Sequence, residues 1–346
     1  METPQWLIDM PKTDLHCHLA GSTRITSLLE LADQYGVALP AKNEEELRKL
    51  VVYKNKQDKS LVRYLEGIAI CESVFVKPDA FSRAAYEICQ DAHAENVNVL
   101  ELRFGPTNYE KESLRLYAIM EATLDGIARA KRDFGMYAGV IVCGIRNDLE
   151  ATKRAVELAI NYQERGAIGF DLAGPEKGNR PELFEQIIMP VLRNFLPVTT
   201  HAGEADDVAS IAQAIIYLNA RRIGHGISLR ESTKLFDFIN TQRIPIETCI
   251  TSNIDTGAVA SLDTHPVRTY YNRGLRLAIC TDNRTISDTT VTKEYMQLIE
   301  HLGFTQKMIY DIAKKGIKSA FLHIDDCIKL LDEFDHYAGN KLINGD

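Results

Sequence analysis

Residues 13–19 read Thr-Asp-Leu-His-Cys-His-Leu, a short strand-like run that carries two histidines two positions apart. Successive side chains of a β-strand alternate between its two faces, so His16 and His18 project from the same face. Two imidazoles on one face can converge on a single divalent metal ion. The stretch therefore makes a metallohydrolase the first functional hypothesis, and its support has to come from the ends of later strands.

Seven further strand-like runs follow the first one, and amphipathic helical stretches separate them. The eight runs cover residues 13–19, 97–104, 137–145, 167–173, 197–202, 221–225, 244–250 and 275–282. Stretches such as 149–166 and 207–222 repeat apolar residues at three- and four-residue spacing, as amphipathic helices do. Eight alternating β/α units in a chain of 346 residues predict an α/β fold of the (β/α)₈ TIM-barrel type.

The stretch of about 26–96 breaks this alternation, because several helical segments lie between the first and second strands. We interpret it as a helical insertion in the barrel. The chain shows no internal repeat, low-complexity tract or Pro/Gly-rich linker, so we expect residues 1–346 to form a single (β/α)₈ metallohydrolase domain.

The composition argues against several classes of partner. A formal net charge of −8, with basic residues scattered along the chain, argues against a nucleic-acid partner. No segment approaches the roughly 20 apolar residues that span a bilayer, and the first residues lack the features of a signal peptide, so we expect no membrane contact and a cytoplasmic location. Seven cysteines without a C-x-x-C spacing predict buried packing rather than disulfides or a thiolate metal site. The sequence does not predict the oligomeric state.

The predicted strands end in an unusually polar set of residues. In a (β/α)₈ barrel the active site forms at the carboxyl ends of the strands. The residues placed there are His16 and His18, Asp171 and Gly174, His201 and Glu204, His225, and Asp282 and Asn283. Three imidazoles and a carboxylate suit Zn²⁺ or a similar divalent ion and leave a position for water, which indicates hydrolytic chemistry.

The order of short motifs along the chain resembles that of the adenosine deaminase family. The matching pieces are DLHCHLAGS (14–22), LELRFGP (100–106), FDLAGPE (170–176), HAGE (201–204), RIGHG (222–226), TSN (251–253), HP (265–266) and CTDN (280–283). The resemblance extends over almost the whole chain. It implies a hydrolytic deaminase whose small-molecule partner is a purine nucleoside.

The resemblance also implies a role for each residue of the site. His16, His18, His201 and Asp282 would hold one zinc, or another divalent ion, and Asp282 would also take part in catalysis. Glu204 would donate a proton to purine N1, and a raised pKa is expected for it because it must be protonated when substrate is bound. His225 would orient and deprotonate the attacking water. The backbone of Gly174 would meet purine N3.

Three positions depart from the family pattern. Ala20 stands where the family commonly has an Asp that accepts a hydrogen bond from the ribose 5′-hydroxyl. Asn283 stands where many members have a second Asp, and its amide is expected to keep the contact with purine N7. Ile250 follows Cys249 in place of the usual proline, which removes no catalytic group.

Ala20 keeps alternative functions open. Loss of the carboxylate favours a nucleoside with a larger or apolar 5′-substituent, so deaminases of a 5′-modified adenosine or of free adenine remain candidates. A catalytically weakened nucleoside-binding barrel is the alternative outside the enzyme class.

The remaining polar candidates are interpreted as mainly structural. Glu101 and Arg103 share a face of the second strand and are expected to form an ion pair near the pocket, where Arg103 is also a candidate substrate contact. His265 is assigned a structural role. Surface or packing roles are expected for His93, His301, His323 and His336.

Overall fold

A computed structural model of the chain describes residues 2–53 and 61–344. Eight parallel strands follow one another around a single sheet in the order in which they occur in the chain. The strands are β1 (Lys12–His18), β2 (Val97–Phe104), β3 (Tyr137–Ile145), β4 (Ala167–Ala173), β5 (Val198–Ala202), β6 (Arg222–His225), β7 (Ile246–Thr248) and β8 (Leu277–Ile279). The predicted (β/α)₈ barrel is confirmed.

Helices connect the strands and cover the outside of the barrel. They are α1 (Gln5–Asp9), α2 (Ile25–Tyr35), α3 (Glu44–Val51), α4 (Leu61–Glu72), α5 (Pro78–Ala94), α6 (Leu116–Phe134), α7 (Leu149–Asn161), α8 (Glu185–Arg193), α9 (Val208–Leu218), α10 (Thr233–Gln242), α11 (Ile250–Asp255), α12 (Val267–Asn272), α13 (Val291–Leu302), α14 (Gln306–Ile317) and α15 (Ile324–Asn344). None of the described helices combines the length and the apolar composition needed to span a bilayer.

The last two strands are shorter than predicted. The apolar runs 244–250 and 275–282 form strands only over Ile246–Thr248 and Leu277–Ile279. Residues from Ile250 onward start α11, and Asp282 has a positive φ of 63°, so neither run continues as an extended strand to its end. β8 therefore ends three residues before Asp282, which lines the cavity, and β7 ends two residues before α11 begins.

The barrel closes between its first and last strands through backbone contacts of the candidate ligands. The amide of His18 donates to the carbonyl of Asp282 at 2.7 Å, and the amide of Asp282 donates to the carbonyl of His16 at 2.7 Å. Cys17 and Asp282 form an isolated parallel bridge at this seam. The same backbone segments thus close the sheet and present the polar side chains.

Helices α2 to α5 lie between β1 and β2. The helix α5 packs against both β2 and α6, which is the ordinary position of a helix joining two barrel strands. The helix α4 instead packs against a short 3₁₀ turn, Ala20–Ser22, that follows β1. The interpretation of the whole stretch 26–96 as one insertion stays a prediction, and residues 54–60 within it lie outside the described part of the chain.

Side-chain caps and burial explain where the outer elements begin and how they pack. The side chain of Asp148 accepts from the amide of Ala151 at the start of α7, and that of Asp207 accepts from Ala209 at the start of α9, which satisfies amides that lack a helical partner.

Six of the seven free cysteines are buried in the apolar layers, as predicted, and Cys327 is half-buried.

Candidate active site

The four predicted ligand side chains, those of His16, His18, His201 and Asp282, lie at the carboxyl end of the barrel. The Nε2 atom of His18 lies 3.2 Å from that of His16 and 3.3 Å from that of His201. Asp282 Oδ1 lies 3.3 Å from the Nε2 of His18 and 3.7 Å from that of His16. Ligand atoms about 2.1 Å from a tetrahedral zinc lie roughly 3.4 Å from one another. The ligand atoms of His16, His18 and Asp282 lie within 4.8 Å of one another, as do those of His16, His201 and His225, so the side chains form two overlapping groups that could hold a metal ion.

Buried carboxylates lie against the Nδ1 atoms of two of these histidines, and the one beside His16 is hydrogen-bonded to it. Glu247 Oε2 accepts from the Nδ1 of His16 at 2.8 Å, and Asp171 Oδ2 lies 2.9 Å from the Nδ1 of His201. A proton held on Nδ1 leaves Nε2 unprotonated in the neutral ring. Burial, followed by nearby positive charges, lowers the pKa of His16 well below its usual value. The facing lone pairs make this a cluster that attracts a cation.

One glycine allows this close approach. A Cβ added to Gly224 on β6 would lie 3.2 Å from Cε1 of His16 and 3.3 Å from Cα of His201. Contacts that short are tighter than most real ones, so any side chain at this position would displace the imidazole. The RIGHG motif thus contributes the space beside the ligands as well as His225.

Two arginines hold the supporting carboxylates in place inside the barrel. Arg103 pairs with Asp171 at 3.1 Å and with Glu247 at 3.0 Å, and all three side chains are inaccessible to solvent. Arg222 donates from Nε to the second oxygen of Glu247 at 2.6 Å. Although burial alone raises the pKa of Glu247, the charges of Arg103 and Arg222 lower it to about 2. Glu247 is therefore ionised whenever it accepts from His16.

The expected ion pair between Glu101 and Arg103 does not form. Glu101 pairs with Arg222 instead, and Arg103 turns toward Asp171 and Glu247. Arg103 on β2 and Arg222 on β6 both point into the barrel interior. The carboxylate that each one meets is set by the register of strands that are far apart in the sequence. The prediction that Arg103 contacts substrate stays a prediction. Arg103 is among the residues that line the cavity, but its guanidinium is bonded to Asp171 and Glu247.

Glu204 follows β5 and occupies a polar corner of the same cavity. Its Oε1 accepts from the hydroxyl of Thr256 at 3.0 Å, and its Oε2 lies 3.5 Å from Nε2 of His225. Burial raises the pKa of Glu204 to about 7. The carboxyl is therefore substantially protonated near neutral pH, as the sequence predicts.

Glu176, three residues after the end of β4, anchors the loop that carries Glu204. Its carboxylate accepts from three successive backbone amides, those of Gly203 (2.7 Å), Glu204 (2.9 Å) and Ala205 (2.9 Å). The hydroxyl of Ser210 on α9 also donates to it at 3.0 Å. The FDLAGPE motif contains Glu176, but sequence reasoning gave it no role.

A chain of hydrogen bonds sets the tautomer of His225. The backbone amide of Val267 donates to Nδ1 of His265 at 3.1 Å, so the ring proton of neutral His265 is on Nε2, which lies 3.4 Å from Oδ1 of Asn253. The Nδ2 of Asn253 is then the donor to Nδ1 of His225 at 2.9 Å. Neutral His225 therefore carries its proton on Nε2, toward the cavity, and burial lowers its pKa to about 4.

The structural role predicted for His265 thus takes the form of a support for Asn253.

His225, Asp282 and Gly174 all have positive φ, so the chain turns sharply where each strand end enters the cavity. The four other histidines named as surface or packing residues, His93, His301, His323 and His336, are exposed.

The cavity beside these groups has a volume of about 390 Å³. Ala20, Arg103, Gly174 and Asn283, the predicted substrate contacts, all line it. The amide nitrogen of Asn283 donates to Oδ1 of Asp282 at 2.8 Å and to the hydroxyl of Tyr64 at 3.2 Å. Both hydrogens of this amide are therefore engaged within the protein, and a contact with purine N7 requires one of them to change partner.

Residues 11–337 match the family model described as adenosine deaminase. An adenosine deaminase of Enterococcus faecalis is 36% identical over 325 residues, covering 94% of this chain and 95% of that protein. A probable adenosine deaminase of Dictyostelium discoideum is 37% identical over 90% of this chain, and the chain spans 40% of the length of that protein.

Solved structures show the same fold. The N6-mAMP deaminase of Arabidopsis has a TM-score of 0.84 at 28% identity, covering 96% of this chain and 100% of that one. The adenine deaminase of Arthrobacter aurescens has a TM-score of 0.89 at 24% identity, with 95% and 99% covered. An amidohydrolase from Burkholderia ambifaria, solved with bound Zn, has a TM-score of 0.88 at 23% identity, with 97% and 93% covered.

Replacing Arg103 by methionine tests the buried ion pairs. The variant leaves Asp171 and Glu247 buried without the guanidinium, so we expect the free energy of unfolding in urea to fall by about 3–5 kcal/mol. The control is Arg24→Met, which breaks a partly exposed pair with Asp91 and should cost no more than about 1 kcal/mol. Equal losses in the two variants would contradict the importance of the buried network.

Proposed function

Because the chain belongs to the adenosine deaminase family, we propose that it hydrolyses adenosine, or a closely related 6-aminopurine nucleoside, to the 6-oxo product and ammonia. One observation carries this proposal. A carboxyl that is substantially protonated near neutral pH, that of Glu204, lines the same cavity as three of the proposed metal ligands, His18, His201 and Asp282. Hydrolytic deamination of a purine needs both an activated water and a proton donor to the ring.

We assign the metal to His16, His18, His201 and Asp282, as one zinc per chain, with another divalent ion as the alternative. Three neutral nitrogens and one carboxylate form a ligand set that suits Zn²⁺. When bound, such an ion lowers the pKa of a coordinated water and supplies a nucleophile near neutral pH.

Glu204 acts as the proton donor to the ring. Addition of oxygen at C6 moves electrons onto N1, and the protonated carboxyl gives N1 its proton as that charge develops. The atoms balance because the water provides oxygen to C6, one proton to the departing ammonia and one proton that returns Glu204 to its protonated form. Burial supplies the raised pKa that this role requires.

His225 acts as a hydrogen-bond donor to the oxygen that adds to C6. The chain through His265 and Asn253 places the ring proton on Nε2, and the low pKa keeps the ring neutral at pH 7. This favours donation by His225 over the role of base inferred from the sequence. Asp282, whose Oδ2 accepts from Ser252 at 2.5 Å, is held beside the ligands by that bond.

The purine ring of the substrate lies against Gly174 in this proposal, and the backbone of Gly174 meets purine N3. Asn283 and Arg103 are the further substrate contacts. The positive φ of Gly174 supports this, because a glycine with φ of 91° lets the backbone approach the ring closely. Asn283 reaches N7 only after giving up its bond to Tyr64 or Asp282.

The charges around the cavity favour an uncharged nucleoside over a nucleotide. The described lining residues include the carboxyl groups of Glu72, Glu176, Glu204 and Asp282. Among these described residues Arg103 is the only lysine or arginine, and its guanidinium is already paired with Asp171 and Glu247. A 5′-phosphate would therefore meet negative charge without a free cation.

Ala20 supports the alternative that the substrate is a 5′-modified adenosine, since this small residue lines the cavity where a carboxylate is commonly present. Free adenine is the other substrate considered. The intact Glu204 and His225 arrangement argues against a nucleoside-binding barrel without turnover.

Ammonia release and the ultraviolet change of the purine test the function directly. Zinc-loaded protein should deaminate adenosine, and a chelator should abolish the turnover. The panel should include adenosine 5′-monophosphate, 5′-methylthioadenosine and adenine. Turnover of the monophosphate above that of every nucleoside would overturn the nucleoside assignment, and no turnover of any 6-aminopurine would overturn the proposed function.

Replacing Glu204 by glutamine tests the proton donor. We expect kcat to fall by roughly 10²–10⁴-fold, because the amide keeps the shape but has no acidic proton of suitable pKa. Binding of a non-reactive purine nucleoside, measured by calorimetry, should change little. The matched control is Glu182→Gln, an exposed carboxyl outside the cavity, which should keep full activity. Near-full activity of the Glu204 variant would remove it from the mechanism.

The pH profile tests the protonation state of Glu204. Since the carboxyl must be protonated and its pKa is raised to about 7, kcat/KM should be level just below that pH and fall about tenfold per unit above it. The residual activity of the Glu204→Gln variant should lack this limb. A wild-type profile that stays level to pH 9 would contradict the assignment.

A further inference from the structure

The inner face of α4 carries a carboxyl that the proposed mechanism does not use. Tyr64, Ile68 and Glu72 are four residues apart and so lie one above another on a single helix face. All three line the cavity. Tyr64 and Ile68 make this wall largely apolar, which leaves Glu72 as an acidic group among apolar neighbours.

Glu72 is held in place by one hydrogen bond. The hydroxyl of Tyr109 donates to its Oε1 at 3.2 Å. The ring of Tyr109 is held in turn by an edge contact with Phe81 and a tilted contact with Phe75, at centroid distances of 5.1 and 5.6 Å. Within the described residues Oε2 of Glu72 accepts no hydrogen bond, so that oxygen is available to a ligand in the cavity.

Glu72 on α4 and Ala20, where the family commonly has a carboxylate, line one cavity. The helix packs against the turn Ala20–Ser22, and both Ala20 and Glu72 line the same cavity. Ala20 has no polar side-chain atom, so a sugar hydroxyl that enters this region loses hydration and needs another acceptor. A carboxylate oxygen on the adjacent helix can supply it.

We propose that Glu72 accepts a hydrogen bond from a sugar hydroxyl of the nucleoside substrate and is a specificity-determining residue of this chain. This inference rests on the proposed function. It makes a hydroxylated nucleoside the preferred substrate class and accounts for recognition of the sugar without an acid at position 20. The Tyr109 hydroxyl orients the carboxyl by holding its other oxygen.

The experiment compares adenosine with its 2′-, 3′- and 5′-deoxy analogues in the wild type and in Glu72→Met and Glu72→Gln. Methionine keeps the length of the side chain but removes the acceptor, and glutamine keeps one acceptor oxygen. We expect Glu72→Met to lower kcat/KM for adenosine by roughly 5- to 100-fold. The loss should disappear for the one analogue that lacks the bonded hydroxyl, and Glu72→Gln should restore most of the activity.

Tyr109→Phe is the matched control. It removes the bond to Oε1 but leaves the acceptor, so its loss on adenosine should be smaller than that of Glu72→Met. If Glu72→Met does not fold, the wild type alone still tests the inference, because one deoxy analogue should be at least about fivefold poorer than adenosine.

Two outcomes would overturn the inference while leaving the proposed function intact. One is an equal loss on all four nucleosides, which would make Glu72 a structural residue. The other is equal kcat/KM for all four substrates in the wild type together with no effect of Glu72→Met. Absence of turnover on every nucleoside would instead overturn the proposed function and this inference with it.

Discussion

The site depends on a set of ionised groups buried inside the barrel. Arg103 and Arg222 are shared among the carboxylates of Glu101, Asp171 and Glu247, and none of these side chains is more than about 1% exposed. Buried charges are costly unless each is paired, so the strand register that pairs them is strongly selected over its alternatives. The carboxylates outnumber the guanidinium groups, and the interior is therefore suited to a cation at its open end.

Two glutamates of the site, Glu247 in the barrel interior and Glu204 in the cavity, differ widely in pKa because their surroundings differ. Glu247 lies between two guanidinium groups, and its pKa is about 2. Glu204 is buried next to hydroxyl, amide and imidazole groups, and its pKa is about 7. One is a permanent anion that orients a histidine, and the other holds a proton that can be given away. Environment, rather than residue type, assigns these tasks.

The sequence was sufficient for the elements that local pattern determines. Eight strands, and the convergence of His16 and His18 with partners at later strand ends, follow from alternation and from where strands stop. The supporting groups were harder to foresee. Glu247 and Glu176 accept hydrogen bonds from residues that are distant in the sequence, and no sequence spacing reveals those partners. The pairing of Glu101 with Arg222 depends on how β2 and β6 are aligned across the barrel, and one amino-acid sequence does not reveal that alignment.

The seam between β1 and β8 has a consequence for biosynthesis. Its hydrogen bonds join the backbone of His16 and His18 to that of Asp282, so residues made early and residues made late must meet to complete it. A ribosome-bound chain that lacks the last strand has three of the four proposed ligands, and β1 has no strand with which to close the barrel. The closed barrel and the full set of proposed ligands are therefore complete only after the final strand has left the exit tunnel.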